Sequence, residues 1–296
     1  MKKSAWIWKI KDIEGGDPLK IAAKAKLAGF SDVYIKVADG GYRYNITNGV
    51  DKCPATVAAL KAVGIKVWGW HYVYGYPQYE IAAARVRIDG LKLDGYIIDA
   101  EYEYKDKPNE AQSLTNILRS SYPNLPIAIA SYRFPTLHPE FPWKQFLGGC
   151  SINMPQVYWQ GAHNAGDQLE RSFNEFKALN AKLGVNPAYE PVASVYSEHG
   201  WTVESADVKD FLDRAEKLNL PAVSFYCWDD AITQGLSDQW KVVEDYGAPV
   251  VVVPPPVVIP PVDERIKQAS DVLTAVISDI GKLNSLVLQA LSILKK

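Results

Sequence analysis

The chain has 296 residues, 48% hydrophobic and 22% charged, which is enough apolar material for a large core and too few charges for a disordered chain. With 32 Lys and Arg against 34 Asp and Glu the net charge is −2, which argues against a protein that tracks nucleic-acid phosphates. Cys53, Cys150 and Cys227 lie far apart and only four histidines are present, so neither a disulfide framework nor zinc-ligand spacing can be read; buried thiols and no metal or cofactor are expected.

From the N-terminus, MKKSAWIWKIKD starts basic, but Lys9, Lys11 and Asp12 interrupt it before the apolar run of a secretion signal accumulates. A chain made in the cytoplasm without a signal peptide is expected. Short apolar runs follow in the order AWIWKI, DVYIKV, KVWGWHYVY, GYIIDAE, PIAIASY, PQVYW, PVASVY and AVSFYCW, which makes eight candidate strands. Amphipathic stretches separate them: PLKIAAKAKLAGF, ATVAALKAVGI, EAQSLTNILRSSY, DQLERSFNEFKALNAKLG and ESADVKDFLDRAEKLNL, with a weaker connection after the fifth strand. Repeated β-then-α units over residues 1–247 predict an α/β fold, a (β/α)8 TIM barrel. An open doubly wound sheet is the rival, but no glycine-rich phosphate loop follows the first strand.

Residues 248–262 (APVVVVPPPVVIPPV) are proline-rich and uncharged and read as a semi-rigid linker, roughly 45 Å long if fully extended. In residues 263–296, Ile266, Leu273, Ile280, Val287 and Leu294 recur every seven positions, with Ala269, Val276, Leu283 and Ala290 three residues later. This is a coiled-coil seam, widened by Val272, Ile277, Leu286, Leu291 and Ile293 toward three or more helices, so a homo-oligomer is expected. An interfacial membrane helix stays open as an alternative; a spanning one does not fit, because Asp279, Lys282 and Asn284 interrupt the apolar run.

In a (β/α)8 barrel the chemistry sits where the strands end. Alternation along the fourth strand turns Tyr96, Ile98 and Ala100 toward the helices and Ile97, Asp99 and Glu101 inward. Two carboxylates on one side, with Cα atoms roughly 6.5–7 Å apart, raise each other's pKa, so that one keeps a proton as a general acid. Other strand ends supply Trp70 and His71, Tyr132, Tyr158 and Gln160, Tyr196, Trp228 and Asp229, with Lys36, Arg133 and Glu198 as further candidates for sugar hydroxyls or a carboxylate. Nine Trp and 17 Tyr suit a carbohydrate ligand and a core equally.

LDGYIIDAEYE resembles the strand-four signature DGxDxDxE of chitinase-type glycosidases (glycoside hydrolase family 18), matching at Asp94, Gly95, Asp99 and Glu101 but carrying Ile97 at the middle aspartate. VWGWHYVYG and the bare DxE also resemble the phage and bacterial lysozymes of family 25, although Trp6-Ile7-Trp8-Lys9 lacks their strand-one aspartate, and Asp229 or Asp230 is a loose substitute for their later acidic residue. The resemblance implies a TIM-barrel glycosidase whose Glu101 protonates the glycosidic oxygen. Asp99 would orient or stabilise a 2-acetamido group acting as internal nucleophile, Tyr158 would bond the acetamido carbonyl, and Trp228 would be the floor under the sugar. It implies a polysaccharide partner, peptidoglycan or chitin-like, and an endolysin-like origin in a phage virion or at lysis. A non-catalytic glycan-binding or structural barrel, displayed as an oligomer, is the competing class.

Overall fold

The computed structural model describes residues 1–247 and 262–294, which fall into two compact units. The first is a closed barrel of eight parallel strands: β1 (Lys2–Ile7), β2 (Asp32–Asp39), β3 (Lys66–Val73), β4 (Gly95–Ala100), β5 (Ile127–Tyr132), β6 (Ile152–Val157), β7 (Val192–Ser194) and β8 (Ala222–Tyr226). Each pairs with its sequence neighbours, and β1 pairs with both β2 and β8, so the sheet has no open edge among these strands.

Helices α1 (Pro18–Leu27), α2 (Cys53–Ala62), α3 (Pro77–Leu91), α4 (Pro108–Ser121), α5 (Trp143–Gly149), α6 (Ala165–Leu183) and α7 (Ser205–Lys217) connect successive strands, and α8 (Trp228–Thr233) and α9 (Ser237–Asp245) follow β8. Their boundaries have local causes. Asp17 caps α1 by accepting from the amides of Leu19 and Lys20, with Pro18 as first residue. Glu204 and Asp207 form a capping box on α7, and α6 stops at Gly184 in the left-handed conformation. The weak connection after β5 holds the short α5, and the stretch after β3, not among those singled out by pattern, is the 15-residue α3.

The strands alternate between two cores. Outward-facing Tyr96, Ile98 and Ala100 pack with the helices, and inward-facing Ile97 joins Trp6, Tyr34, Trp68, Trp70, Ala128, Ala130 and Met154 inside the barrel. Large aromatics from β1 to β3 thus face small residues of β5. Trp6 lies 5.3 Å from Tyr34 and 5.7 Å from Trp70, both edge-on. The indole N–H groups of Trp6, Trp68 and Trp70 donate to Ser224, Asp32 and the Ile7 carbonyl, so the large rings are buried without unpaired donors. Gly95, inside the motif on β4, has a structural reason: a Cβ there would lie 2.2 Å from the Trp68 ring.

Cys53, Cys150 and Cys227 are buried and free, as expected. The linker expected over 248–262 lies, apart from Val262, outside the described residues. The second unit contains helix α10 (Val262–Leu294), whose described apolar side chains, among them Ile266, Leu273, Ile280 and Val287, are exposed. Among the described residues no helix is long and apolar enough to cross a membrane.

Candidate active site

Strand β4 ends at Ala100, and the chain turns into a single 3-10 turn at Tyr102–Tyr104, which leaves Asp99 and Glu101 at the C-terminal mouth. Both line a cavity of about 230 Å³ together with Trp6, Trp8, Lys36, Trp70, Tyr72, Gln156, Tyr158 and Tyr226. The inward parity read from the sequence therefore brings the two carboxylates together.

Gln156 on β6 binds them to each other. Its Nε2 donates to Asp99 Oδ1 at 2.9 Å and to Glu101 Oε1 at 3.0 Å. Burial pushes the Asp99 carboxyl well above the usual range, and the neighbouring Glu101 pushes it further, against the opposing charge of Lys36. Burial also raises Glu101, but the Gln156 amide favours its ionised form and partly offsets this. The pair as a whole therefore retains a proton to higher pH than an ordinary carboxylate, and Glu101 is the more exposed of the two. Gln156 was not read from the sequence. Its inward parity with Tyr158 was the available signal, two positions earlier on the same strand.

The aromatic walls are also held in place. Tyr158 packs against Tyr226 and edge-on against Tyr196, and burial keeps its phenol protonated and able to donate. Tyr72 donates to Glu103 at 2.8 Å. Lys36, buried in the mouth, pairs with Asp39 at 2.6 Å and lies 4.4 Å from the Tyr44 ring and 4.9 Å from the Trp70 ring. Asn45 accepts from the Ile10 amide and donates to the carbonyls of Trp8 and Lys36, tying the ends of β1 and β2 together.

Of the residues expected from sequence, Asp99, Glu101, Tyr158 and Trp70 line this cavity. Tyr132 and Gln160 line a neighbouring one, with Tyr132 stacked on His138 at 3.6 Å and Gln160 donating to Glu198 at 3.1 Å. Tyr196 supports the wall without lining either cavity.

Three expectations are corrected. Trp228 is not a floor under the ligand. The strand stops at Tyr226, so its parity does not carry to residue 228, which opens α8 and is buried between Phe30 and Trp240, 5.8 and 5.9 Å away. Tyr226 occupies the cavity wall instead. His71 has outward parity: its ring meets the Tyr96 hydroxyl at 2.6 Å and the Gly40 carbonyl at 2.7 Å, and burial lowers its pKa to about 4, so it is a neutral packing residue. Asp229 is buried, and both its oxygens accept backbone amides, from Trp8 at 2.7 Å and Lys9 at 3.0 Å. It positions the end of β1 and is not presented to a ligand, although burial raises its carboxyl to about 6.

No protein-family model matches the chain, and no curated protein sequence matches it. Solved structures do share the fold. The chitinase ChiB of Flavobacterium johnsoniae superposes with a TM-score of 0.59 at 10% identity, covering 82% of this chain and 92% of that one. The catalytic domain of a Pyrococcus furiosus chitinase gives 0.57 at 13% identity over 76% and 83%. The spore cortex-lytic enzyme SleL of Bacillus cereus gives 0.56 at 8% identity over 82% and 73%. At these identities the likeness shows that the chain is a TIM barrel of the kind these glycan-cleaving proteins use.

Proposed function

We propose that the barrel is a glycoside hydrolase acting on a β-linked N-acetylhexosamine polymer, peptidoglycan ahead of chitin, with Glu101 as general acid. The observation that carries this reading is the pair of proton-retaining carboxylates, bridged by one amide, in an aromatic-walled cavity at the barrel mouth. The similar folds of a chitinase and a cortex-lytic enzyme support it.

Mechanistically, Glu101 gives its proton to the glycosidic oxygen as the bond to C1 breaks. A single Gln156 nitrogen contacts both carboxylates and so holds Asp99 beside Glu101; in the chitinase-type reading Asp99 serves the acetamido group and does not itself attack C1. Among the described residues no third carboxylate lines the cavity. The substrate's own 2-acetamido oxygen then supplies the electron pair to C1, Asp99 stabilises the charge that develops on the amide, and Tyr158 bonds its carbonyl. Water opens the cyclic intermediate and returns a proton to Glu101. The cavity volume suits one sugar ring, below the roughly 300–1,000 Å³ of pockets for larger ligands.

A second reading, a glycan-binding barrel without turnover, draws on Ile97. It is fully buried two residues before Asp99, where the chitinase-type signature has another carboxylate. Hydrolysis of peptidoglycan and chitin by wild type and Glu101→Gln decides between them. Activity lost only in the variant supports the enzyme; binding without turnover in both supports the second reading. We also infer that residues 263–296 assemble several copies of the chain through the apolar stripe of α10.

A further inference from the structure

Next to the carboxylate cavity lies a second of about 270 Å³, and the two share Gln156 and Tyr158 as a common wall. This second space is open beside the one at Glu101 for a neighbouring sugar of a glycan. The electrostatics of the two differ. The first holds both carboxylates, whereas the lining of the second carries no acidic residue and one permanent charge, the guanidinium of Arg133.

Arg133 is half-buried and follows the end of β5. Its guanidinium carbon is 4.9 Å from the centre of the Phe134 ring, and that of Arg171 is 3.9 Å from the same ring. Arg171 has a counter-charge in Glu175 at 2.7 Å. Arg133 has none: among the described residues no carboxylate pairs with it, and the nearby charge that acts on it is the repulsive Arg171. A cation drawn partly out of water without an acidic partner is costly unless a ligand supplies the anion. The planar guanidinium fork matches a carboxylate with two parallel hydrogen bonds. His138 in this wall has its pKa lowered by burial and by Lys105, and burial raises the phenols of Tyr132 and Tyr158, so none of the three adds a competing charge at neutral pH.

We propose that Arg133 binds a carboxylate on the sugar adjacent to the one that reacts, which makes the substrate an acidic glycan. This rests on the glycan-hydrolase reading above. Two sources present that group: the lactyl carboxylate of a muramic acid that carries no peptide stem, and the C6 carboxylate of a uronic acid.

The probes are a tetrasaccharide of alternating N-acetylglucosamine and N-acetylmuramic acid, its methyl ester, and an alternating N-acetylglucosamine–glucuronate tetrasaccharide. Calorimetry gives the affinities, and kcat/KM is measured wherever turnover occurs. Wild type is expected to bind at least one free acid about tenfold or more tighter than the neutral ester. In Arg133→Gln that ratio falls toward one, and Arg133→Lys restores part of it. The preferred acid tells the lactyl from the uronate source. Equal affinity of wild type for acids and ester overturns the proposal, as does an Arg133→Gln variant that weakens all ligands by one common factor. The wild-type comparison needs no variant to fold. Turnover without acid preference removes this inference and leaves the hydrolase. Acid preference without turnover does the reverse, and no binding of any probe removes both.

Discussion

Replacing Gln156 by leucine keeps most of the side-chain volume and deletes the one nitrogen that touches both carboxylates, at 2.9 and 3.0 Å. With one proton shared by the pair, one of these bonds reaches an ionised group, worth about 1.5–3 kcal/mol, and the other a neutral one, worth about 1 kcal/mol. If most of that is expressed as the proton leaves Glu101, roughly 3 kcal/mol is lost, which is about a hundredfold in kcat/KM. The pH profile has a definite sign. An N–H donor favours the charged form of a carboxylate, so its removal raises both groups. Glu101 then keeps its proton to higher pH and Asp99 ionises at higher pH, so both limbs of the bell move to the alkaline side. The assay is steady-state hydrolysis of an N-acetylated oligosaccharide across pH, with circular dichroism to confirm folding. A folded variant with kcat/KM within about threefold of wild type and an unmoved bell would refute the coupling of the two carboxylates through Gln156.

Asp99→Asn should abolish or cripple turnover and yet raise the thermal midpoint at pH 8. The native carboxyl is raised above its unfolded value by burial, so wild type loses stability as pH rises past an ordinary aspartate pKa near 3.9, and the amide does not. The gain should vanish at pH 3, where the carboxyl is neutral in both states; a gain that persists there would point to packing. Trp228→Ala should cost about 3–5 kcal/mol in urea unfolding, because Trp228 is core between Phe30 and Trp240. The milder Trp228→Phe should leave KM unchanged, and a raised KM would return this residue to the site. Deleting residues 263–296 should turn an oligomer into a monomer by light scattering. Each heptad side chain buried in a partner contributes roughly 1.5–3 kcal/mol, and a full-length monomer at micromolar concentration would contradict the assembly.

The barrel was legible because eight apolar runs alternate with amphipathic ones and because strand periodicity has a fixed consequence. In β4 that periodicity placed Ile97 inside and Asp99 and Glu101 at the mouth, and the structure agrees. The same rule failed at residue 228, since alternation holds only while the strand lasts, and Tyr226 is its last residue. His71 was misplaced for a related reason: its polarity suggested a site, while its parity put it outward against Tyr96. Gln156 went unread because a neutral amide announces no chemistry; its importance arises only from two carboxylates on a different strand. Asp229 shows the converse case, an acidic residue absorbed by two backbone amides just beyond β1, a pairing that spans most of the barrel sequence and leaves no local trace.

The aromatic packing of the barrel interior makes the molecule its own optical reporter. Trp6, Trp8 and Trp70 line the cavity that holds the carboxylates. An occupant that displaces water from the partly exposed Trp8 should shift its ultraviolet emission without any attached dye. Trp6 and Trp70, 5.7 Å apart and inclined at 62°, are also close enough for their indole transitions to couple. Their paired exciton bands in circular dichroism should change shape when a ligand pushes one ring relative to the other, while Trp143, Trp159, Trp228 and Trp240, buried among the helices, supply a constant background. Occupancy can thus be followed by light alone, in the unmodified chain and with glycans that are never cleaved.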